Sequence, residues 1–402
     1  MPQAVIVRAV RSPIGRAFKG SLVQLRADDM SAQVVTALLD QVPQVTGADV
    51  EDIIWGCASP AGEQGYNIAR VTALLCGLND VPGTTVNRYC ASSLQAIRMA
   101  AHAIAAGEGD IFVAGGAESV TRFANGFADE MPGTHNPRFA PAEQRSATRA
   151  LGGSPPWAPE PGLPDIYIAM GQTAENVREL CAVSREAMDH FAQRSQQRAV
   201  QSQDDGFFHR EIVPVTLPDG TVVDRDDSPR RGTELGAMAE LKPAFRPDGE
   251  VTAGNSCPLN DGAAAVMVMS DERARQLGIK PLARVVASAI SALDPEIMGL
   301  GPVSACRRVL ARAGMSMADI DLVEINEAFA AQVIPCAEQL AIDESRLNVH
   351  GGAIALGHPF GMTGARIMTT LLNGLETADA TLGLESMCIG GGQGMAMVVE
   401  RL

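Results

Sequence analysis

Two parts of the chain, residues 1–121 and 250–402, carry the same pattern: short apolar runs alternate with Ala-rich segments of helical period. Runs at 4–7, 84–86 and 263–269 have strand length. Leu94, Ile97, Ala101 and Ile104 recur at spacings of three and four, which puts them on one helix face, and Gly107 follows as a stop. Residues 303–313 repeat the helical pattern. Strands alternating with helices predict a layered α/β fold. Residues 122–249 are more polar and contain Pro132, Pro137, Pro141, Pro155, Pro156, Pro159, Pro161 and Pro164. They predict an insertion of loops plus helices, the helices lying within 170–203. The charged sides of 175–180 and 186–198 read as solvated helix faces.

The two flanking parts resemble each other. Residues 48–54 (ADVEDII) match 318–324 (ADIDLVE) at an offset of 270, and 113–117 (VAGGA) match 389–393 (IGGGQ) at about the same offset. A duplicated α/β unit follows, with the insertion carried by the first copy. The expected organisation is a first half over 1–121 completed by 250–271, an inserted loop domain over 122–249, and a second half over 272–402.

Composition narrows the function. The 402 residues are 46% apolar and 20% charged, which excludes a mostly disordered chain. Aromatics are only 4%, so the core must be aliphatic, with glycine allowing close backbone packing. A net charge of −15 argues against a nucleic-acid or anionic-membrane surface; an anionic small ligand needs a local basic patch. No apolar segment approaches the roughly 18 residues of a membrane span, and no secretory pattern opens the chain. The expectation is a cytoplasmic protein. Its eight cysteines show no Cys-x-x-Cys pair and no zinc spacing, so free thiols are expected.

Four Gly-flanked polar stretches stand out. In the first, a strand-like run leads through Asn87-Arg88-Tyr89-Cys90-Ala91-Ser92 into a helix. Cys90 then sits at the helix start, where free amides and the helix dipole favour a thiolate and lower its pKa, as suits a nucleophile forming a thioester. The second, residues 348–361, places His350 and His358 in a constrained loop rather than a helix. Two His are too few for a metal site, so none is expected, and a general base is the better reading for one of them. The third, residues 386–394, puts Cys388 before Gly390-Gly391-Gly392 in a flexible setting. Too little chain follows for a dinucleotide fold, whereas the Gly390 amide can face an oxyanion. The fourth, Ile325-Asn326-Glu327-Ala328-Phe329, marks a strand giving way to a helix.

Taken in order and spacing, Asn87 to Ser92, Asn326 to Phe329, Gly357-His358-Pro359 and Cys388 to Gly392 resemble the four signatures of the thiolase family. Residues 170–176 (MGQTAEN) and 252–255 (TAGN) resemble two further family stretches. The resemblance spans nearly the whole chain. It implies duplicated βαβαβαββ halves in a five-layer αβαβα arrangement with an inserted loop domain. It implies coenzyme A-dependent Claisen chemistry, with acyl-CoA and coenzyme A as substrates, no tightly bound cofactor, and a homodimer or homotetramer. By carry-over, Cys90 takes up the acyl group, His358 activates that thiol, and Cys388 moves the proton at the α-carbon of acetyl-CoA. Asn326 holds a water that, with His358, polarises a thioester carbonyl. The amides of Cys90 and Gly390 form the other oxyanion hole. Arg230, Ala253 and Cys257 fall where the family binds coenzyme A.

Departures from the family pattern are Ser93 for a usual Gly, Cys257 for Ser, Ala237 for Ser, Gln393 for Met, and His350 for Asn, the last read as structural. Short-chain biosynthetic members often carry His where Ala169 stands, which favours a degradative 3-ketoacyl-CoA thiolase of fatty-acid β-oxidation. The alternatives are an acetoacetyl-CoA-forming acetyltransferase and a catalytically silent acyl-CoA-binding relative. A β-ketoacyl synthase is disfavoured because Cys388 replaces the second His expected there. The alternative role for Arg230-Arg231 is a solvated pair neutralising Asp226 and Asp227.

Overall fold

The computed structural model describes all residues except Met1 and Phe127. The first half runs β1 (Ala4–Arg11), the two-residue β2 (Gly15–Arg16), α1 (Ala27–Asp40), β3 (Asp52–Gly56), α2 (Ile68–Leu75), β4 (Gly83–Val86), α3 (Ser92–Ala106) and β5 (Ile111–Ser119). The insertion holds α4 (Ala140–Ala150), α5 (Met170–Leu180), α6 (Arg185–Asp204), the short pair β6 (Val215–Thr216) and β7 (Val222–Val223), and α7 (Leu235–Ala239). The chain then re-enters the first half as β8 (Asn260–Ser270), which lies antiparallel between β1 and β5. After α8 (Asp271–Gln276), the second half comprises β9 (Ala283–Ala292), α9 (Gly301–Ala313), β10 (Leu322–Ile325), α10 (Ala330–Gln339), α11 (Ala353–Leu356), α12 (Thr363–Thr377), β11 (Leu382–Ile389) and β12 (Gln393–Arg401).

The duplication is visible in the strand order, β10-β11-β12-β9-β1-β8-β5-β3-β4. Each half pairs its strands alike. β3 is parallel to β5 with Asp52 opposite Phe112, and β10 is parallel to β11 with Leu322 opposite Gly383. Those registers set the offsets at 270 and 271. Capping boxes recur at Thr46/Asp49 and Ser316/Asp319, just before the equivalent strands. The second repeat string was misaligned: 113–117 lies inside β5, whereas 389–393 covers the end of β11 and the turn beyond, and the partner of Val113 is Leu384. Short Gly/Ala strings match anywhere; hydrogen-bond register does not slip without turning every side chain to the other face.

The halves meet at a seam of two residue pairs, Val5 with Arg284 and Ile6 with Ala283. Both faces of each half are covered, which explains why β8 reads as an unbroken apolar run. Its side chains still divide by the period of two. Ala264, Val266 and Val268 enter the central core beside Leu94, Ile97, Ile367 and Leu371 of α3 and α12. Ala263, Ala265, Met267 and Met269 enter an outer core under α1 and α2. α9 and α10 cover the opposite outer core with Val309, Val333, Val323 and Val398. The succession helix, sheet, paired central helices, sheet, helix gives the five layers expected. α3 and α12 approach so closely that a Cβ on Gly364 would lie 2.4 Å from Leu94 N. Ser93 Oγ accepts the Ala365 N–H at 2.9 Å, satisfying a free amide in the first turn of α12. A Gly there could not do this.

Two expectations about texture fail. The polar side of α5 is not solvated: Glu175 is fully buried, accepts the N–H groups of Glu250 and Val251, and pairs with Arg178. Partners across the insertion, invisible to helical periodicity, supply those bonds. The loop at 348–361 contains one helical turn, α11, whose Ala353, Ile354, Ala355 and Leu356 are all buried.

Candidate active site

Cys90 lies in a 3₁₀ turn (Tyr89–Ala91) between β4 and α3, as the strand-turn-helix pattern predicts. The turn is sharp: Tyr89 has φ 43°, in the left-handed region that costs a side chain free energy. Its neighbours hold it there. Ser92 Oγ accepts the Arg88 N–H at 2.9 Å and donates to Tyr89 O at 2.7 Å, and Asn87 Oδ1 accepts the Tyr89 N–H at 2.9 Å. Gln393 Oε1 accepts from Arg88 Nη1 at 2.8 Å, which ties this turn to the second half.

The expected low pKa at Cys90 is corrected by the structure. Burial pushes the thiol up to about 12, against the pull of the Gly390 and Cys90 backbone amides. A helix-start dipole acts weakly compared with loss of water around the sulfur. Cys90 is therefore a thiol at rest and needs a base.

His358 can be that base. It is 2% exposed, and burial together with Arg366 lowers its pKa to about 3, so the imidazole is neutral. Its tautomer follows from geometry. The Thr363 hydroxyl donates to Pro359 O at 2.7 Å, so it accepts from His358 Nδ1–H at 2.6 Å. Nε2 carries the lone pair and lies 3.2 Å from Asn326 Nδ2. Asn326 sits just past β10; its Oδ1 is buried and has no hydrogen-bond partner among the described residues. The His358 loop is fixed from the first half. Asn260 Oδ1 accepts the His358 N–H at 3.1 Å, and buried Glu118 accepts the Gly361 N–H at 2.9 Å together with those of Ala58 and Ser59.

Cys388 is the penultimate residue of β11, opposite Gly394, and is fully buried, so its setting is a paired strand rather than a flexible loop. Burial raises its thiol well above the usual range, and a thiolate on neighbouring Cys90, Cys336 or Cys257 would push it the same way. Gly390 follows at the hairpin turn, where Gly391 and Gly392 have φ 77° and 76°. A Cβ on Gly392 would lie 2.3 Å from Leu293 O, so the turn requires glycine.

One cavity borders these groups, and a second lies at Arg230. The first, of about 290 Å³, includes Cys90, Gly390, Tyr89, Phe360, Tyr167 and Met170 in its walls. The other, of about 280 Å³, takes in Arg230, Ala253, Arg16, Gly254 and Ala237. Cys257 is not in that wall, although Ser256 and Pro258 are; burial pushes its thiol up, and it lies within electrostatic reach of Cys90. Arg230 and Arg231 do not neutralise Asp226 and Asp227. Asp226 is held by Arg11, Asp227 accepts the N–H groups of Arg16 and Ser21, and Arg231 pairs with Asp204. Arg230 is exposed and belongs to no ion pair among the described residues. His350 is structural: it stacks on Phe207 with ring centroids 3.6 Å apart, and its Nδ1 lies 3.0 Å from Ser202 Oγ.

Sequence reading missed Thr363 and Glu118. Each left a trace: a Thr opening the helix after His358-Pro359, and an acid at the end of an apolar strand. All eight cysteines are free. No helix among the described residues is long and apolar enough to cross a membrane.

Comparison with known proteins agrees over the full length. The family described as thiolase, N-terminal domain, matches residues 4–272, and thiolase, C-terminal domain, matches 279–401. A beta-ketoadipyl-CoA thiolase of Acinetobacter baylyi is 45% identical over 412 aligned positions, covering 100% of both chains. A 3-ketoacyl-CoA thiolase of Cronobacter sakazakii is 44% identical, again over 100% of both. The crystal structure of the Bacillus anthracis acetyl-CoA acetyltransferase superposes with a TM-score of 0.86 at 36% identity, covering 100% of this chain and 99% of the other. With both family domains laid end to end along it, this chain belongs to the thiolase family.

Proposed function

We propose that the chain cleaves 3-ketoacyl-CoA with coenzyme A, giving acetyl-CoA and a shortened acyl-CoA. The observation that carries this is the convergence of segments from two halves: a neutral His358 with its Nε2 lone pair beside Asn326, a cavity wall that holds Cys90 and Gly390 together, and a second, fully buried thiol at Cys388. Cys90 gives its proton to His358 Nε2, and its sulfur attacks the C3 carbonyl carbon. The C3 oxyanion is held by the Cys90 and Gly390 amides. Collapse breaks the C2–C3 bond, and the enolate of acetyl-CoA leaves, its thioester oxygen facing protonated His358 and the Asn326 side. Cys388 donates its proton to C2. Its high pKa keeps it protonated until that moment. Coenzyme A then gives its thiol proton to the Cys388 thiolate and attacks the acyl group on Cys90. Departing Cys90 recovers its proton from His358. The two thiols divide nucleophile and acid because their surroundings differ.

Coenzyme A enters along the cavity at Arg230, whose unpaired guanidinium suits a phosphate. A cytoplasmic setting and assembly as a homodimer or homotetramer belong to the same reading. The test is intact mass spectrometry after mixing with acetoacetyl-CoA. An acetyl adduct appears on wild type and is absent from Cys90→Ala, whose turnover falls by several orders of magnitude with the fold retained. Wild-type thiolysis by Cys90→Ala would refute the assignment.

A further inference from the structure

The cavity beside Cys90 has walls that say which acyl chains fit. Its volume of about 290 Å³ is roughly twice that of an apolar cavity that takes one benzene, so a chain of about six to ten carbons can enter. Phe123, Ile166, Ile168 and Met170 of the inserted region line it, with Phe360 from the His358 loop. Among the described residues, no Lys or Arg belongs to the wall. The ionisable side chains in it, besides the Cys90 thiol and two tyrosines, are His135 and Asp129. His135 is already engaged: its Nδ1 lies 2.9 Å from Glu143 Oε2, and its ring stacks on Tyr167 at 4.0 Å. Asp129 also lies within electrostatic reach of His135, while burial pushes the Asp129 carboxyl up. Asp129 is half-buried, and no hydrogen bond or ion pair among the described residues engages its carboxylate. Its charge reaches the Tyr89 hydroxyl, next to the nucleophile.

Resting on the thiolase reading above, we propose that this site accepts 3-ketoacyl chains ending in an uncharged apolar group and rejects chains ending in a carboxylate, with Asp129 as the rejecting residue. A terminal carboxylate entering the cavity loses water, finds no Lys or Arg in the wall, and lies beside Asp129. It meets a like charge, or one of the two acids must take up a proton; either outcome costs binding. An alkyl tail gains from the same apolar wall. Two of the similar proteins are named for beta-ketoadipyl-CoA, a substrate whose acyl group ends in a carboxylate, so this chain's wall predicts the opposite preference.

The experiment measures kcat/KM for thiolysis of 3-ketohexanoyl-CoA, 3-ketooctanoyl-CoA and 3-ketoadipyl-CoA by the full chain with coenzyme A. Acetoacetyl-CoA serves to establish thiolase activity independently. Wild type is expected to prefer the two alkyl substrates by at least about tenfold, the effect of roughly one unpaired charge contact. Asp129→Asn narrows the ratio of 3-ketohexanoyl to 3-ketoadipyl substrate by about threefold to tenfold, and Asp129→Ala does the same. Equal or greater use of 3-ketoadipyl-CoA by wild type overturns the proposal, as does an unchanged ratio in both variants. If acetoacetyl-CoA is cleaved in those cases, the thiolase reading stands and only the chain preference falls. If no thioester is cleaved at all, both fall.

Discussion

On the proposed mechanism, replacing His358 by Gln removes the base and leaves Cys90 as a neutral thiol. With the Cys90 thiol at about 12, pH 7 lies five units below it. Roughly one molecule in 10⁵ then carries a thiolate. Wild type avoids this penalty because the proton passes to neutral imidazole as the sulfur attacks, a form of catalysis worth roughly 10²–10⁴-fold. The sign of the pH dependence follows. His358 loses its base form only as pH falls through about 3, so wild-type acylation is flat with respect to His358 from pH 5 to 8. His358→Gln, dependent on spontaneous thiolate, falls by at least about 10² at pH 7 and rises tenfold per pH unit between 6 and 10. Rapid-quench detection of the acyl-enzyme gives both profiles, and the alkylation rate of Cys90 provides a second readout. A wild-type inflection between pH 6 and 7, or a His358→Gln rate that is pH-independent and within tenfold of wild type, would refute a resting thiol activated by neutral His358.

Cys388→Ser is expected to slow α-proton exchange in bound acetyl-CoA more than acylation of Cys90, because a hydroxyl is far less acidic than a thiol; equal losses in deuterium exchange and single-turnover acylation count against separate roles. Arg230→Ala raises KM for coenzyme A by roughly tenfold at low salt, the equivalent of one charge-assisted contact, with less change in kcat. The rise shrinks as salt screens this exposed group, and an unchanged KM at low salt returns Arg230 to a bystander. Gly364→Ala tests the central layer. Helix propensity alone predicts a gain of about 1 kcal/mol, but the added Cβ would lie 2.4 Å from Leu94 N, so overpacking should win by about 1–3 kcal/mol, read as a lower denaturation midpoint.

The candidate site residues were legible in the sequence because each sits in a local device that sequence encodes. A strand, a tight turn and a helix place Cys90; a proline after a glycine-rich run places His358; the glycines after Cys388 need φ near 77° and 76°. The alternation of strands and helices, and the first repeat string, likewise gave the duplicated α/β plan, since hydrophobic period is a property of neighbours along the chain. What the sequence could not show is what arrives from elsewhere. Glu175 reads as a solvated helix residue until residues 250 and 251 donate to it. Thr363 decides which nitrogen of His358 carries the proton only because Pro359 O takes the hydroxyl hydrogen. Cys90 was expected to be acidic from its helix start, yet burial among the surrounding elements acts more strongly and reverses the direction. Helix dipoles and turns are local and can be read along the chain. Desolvation is the work of every element that closes over a group, so the resting protonation of this site was decided only when the two halves and the insertion came together.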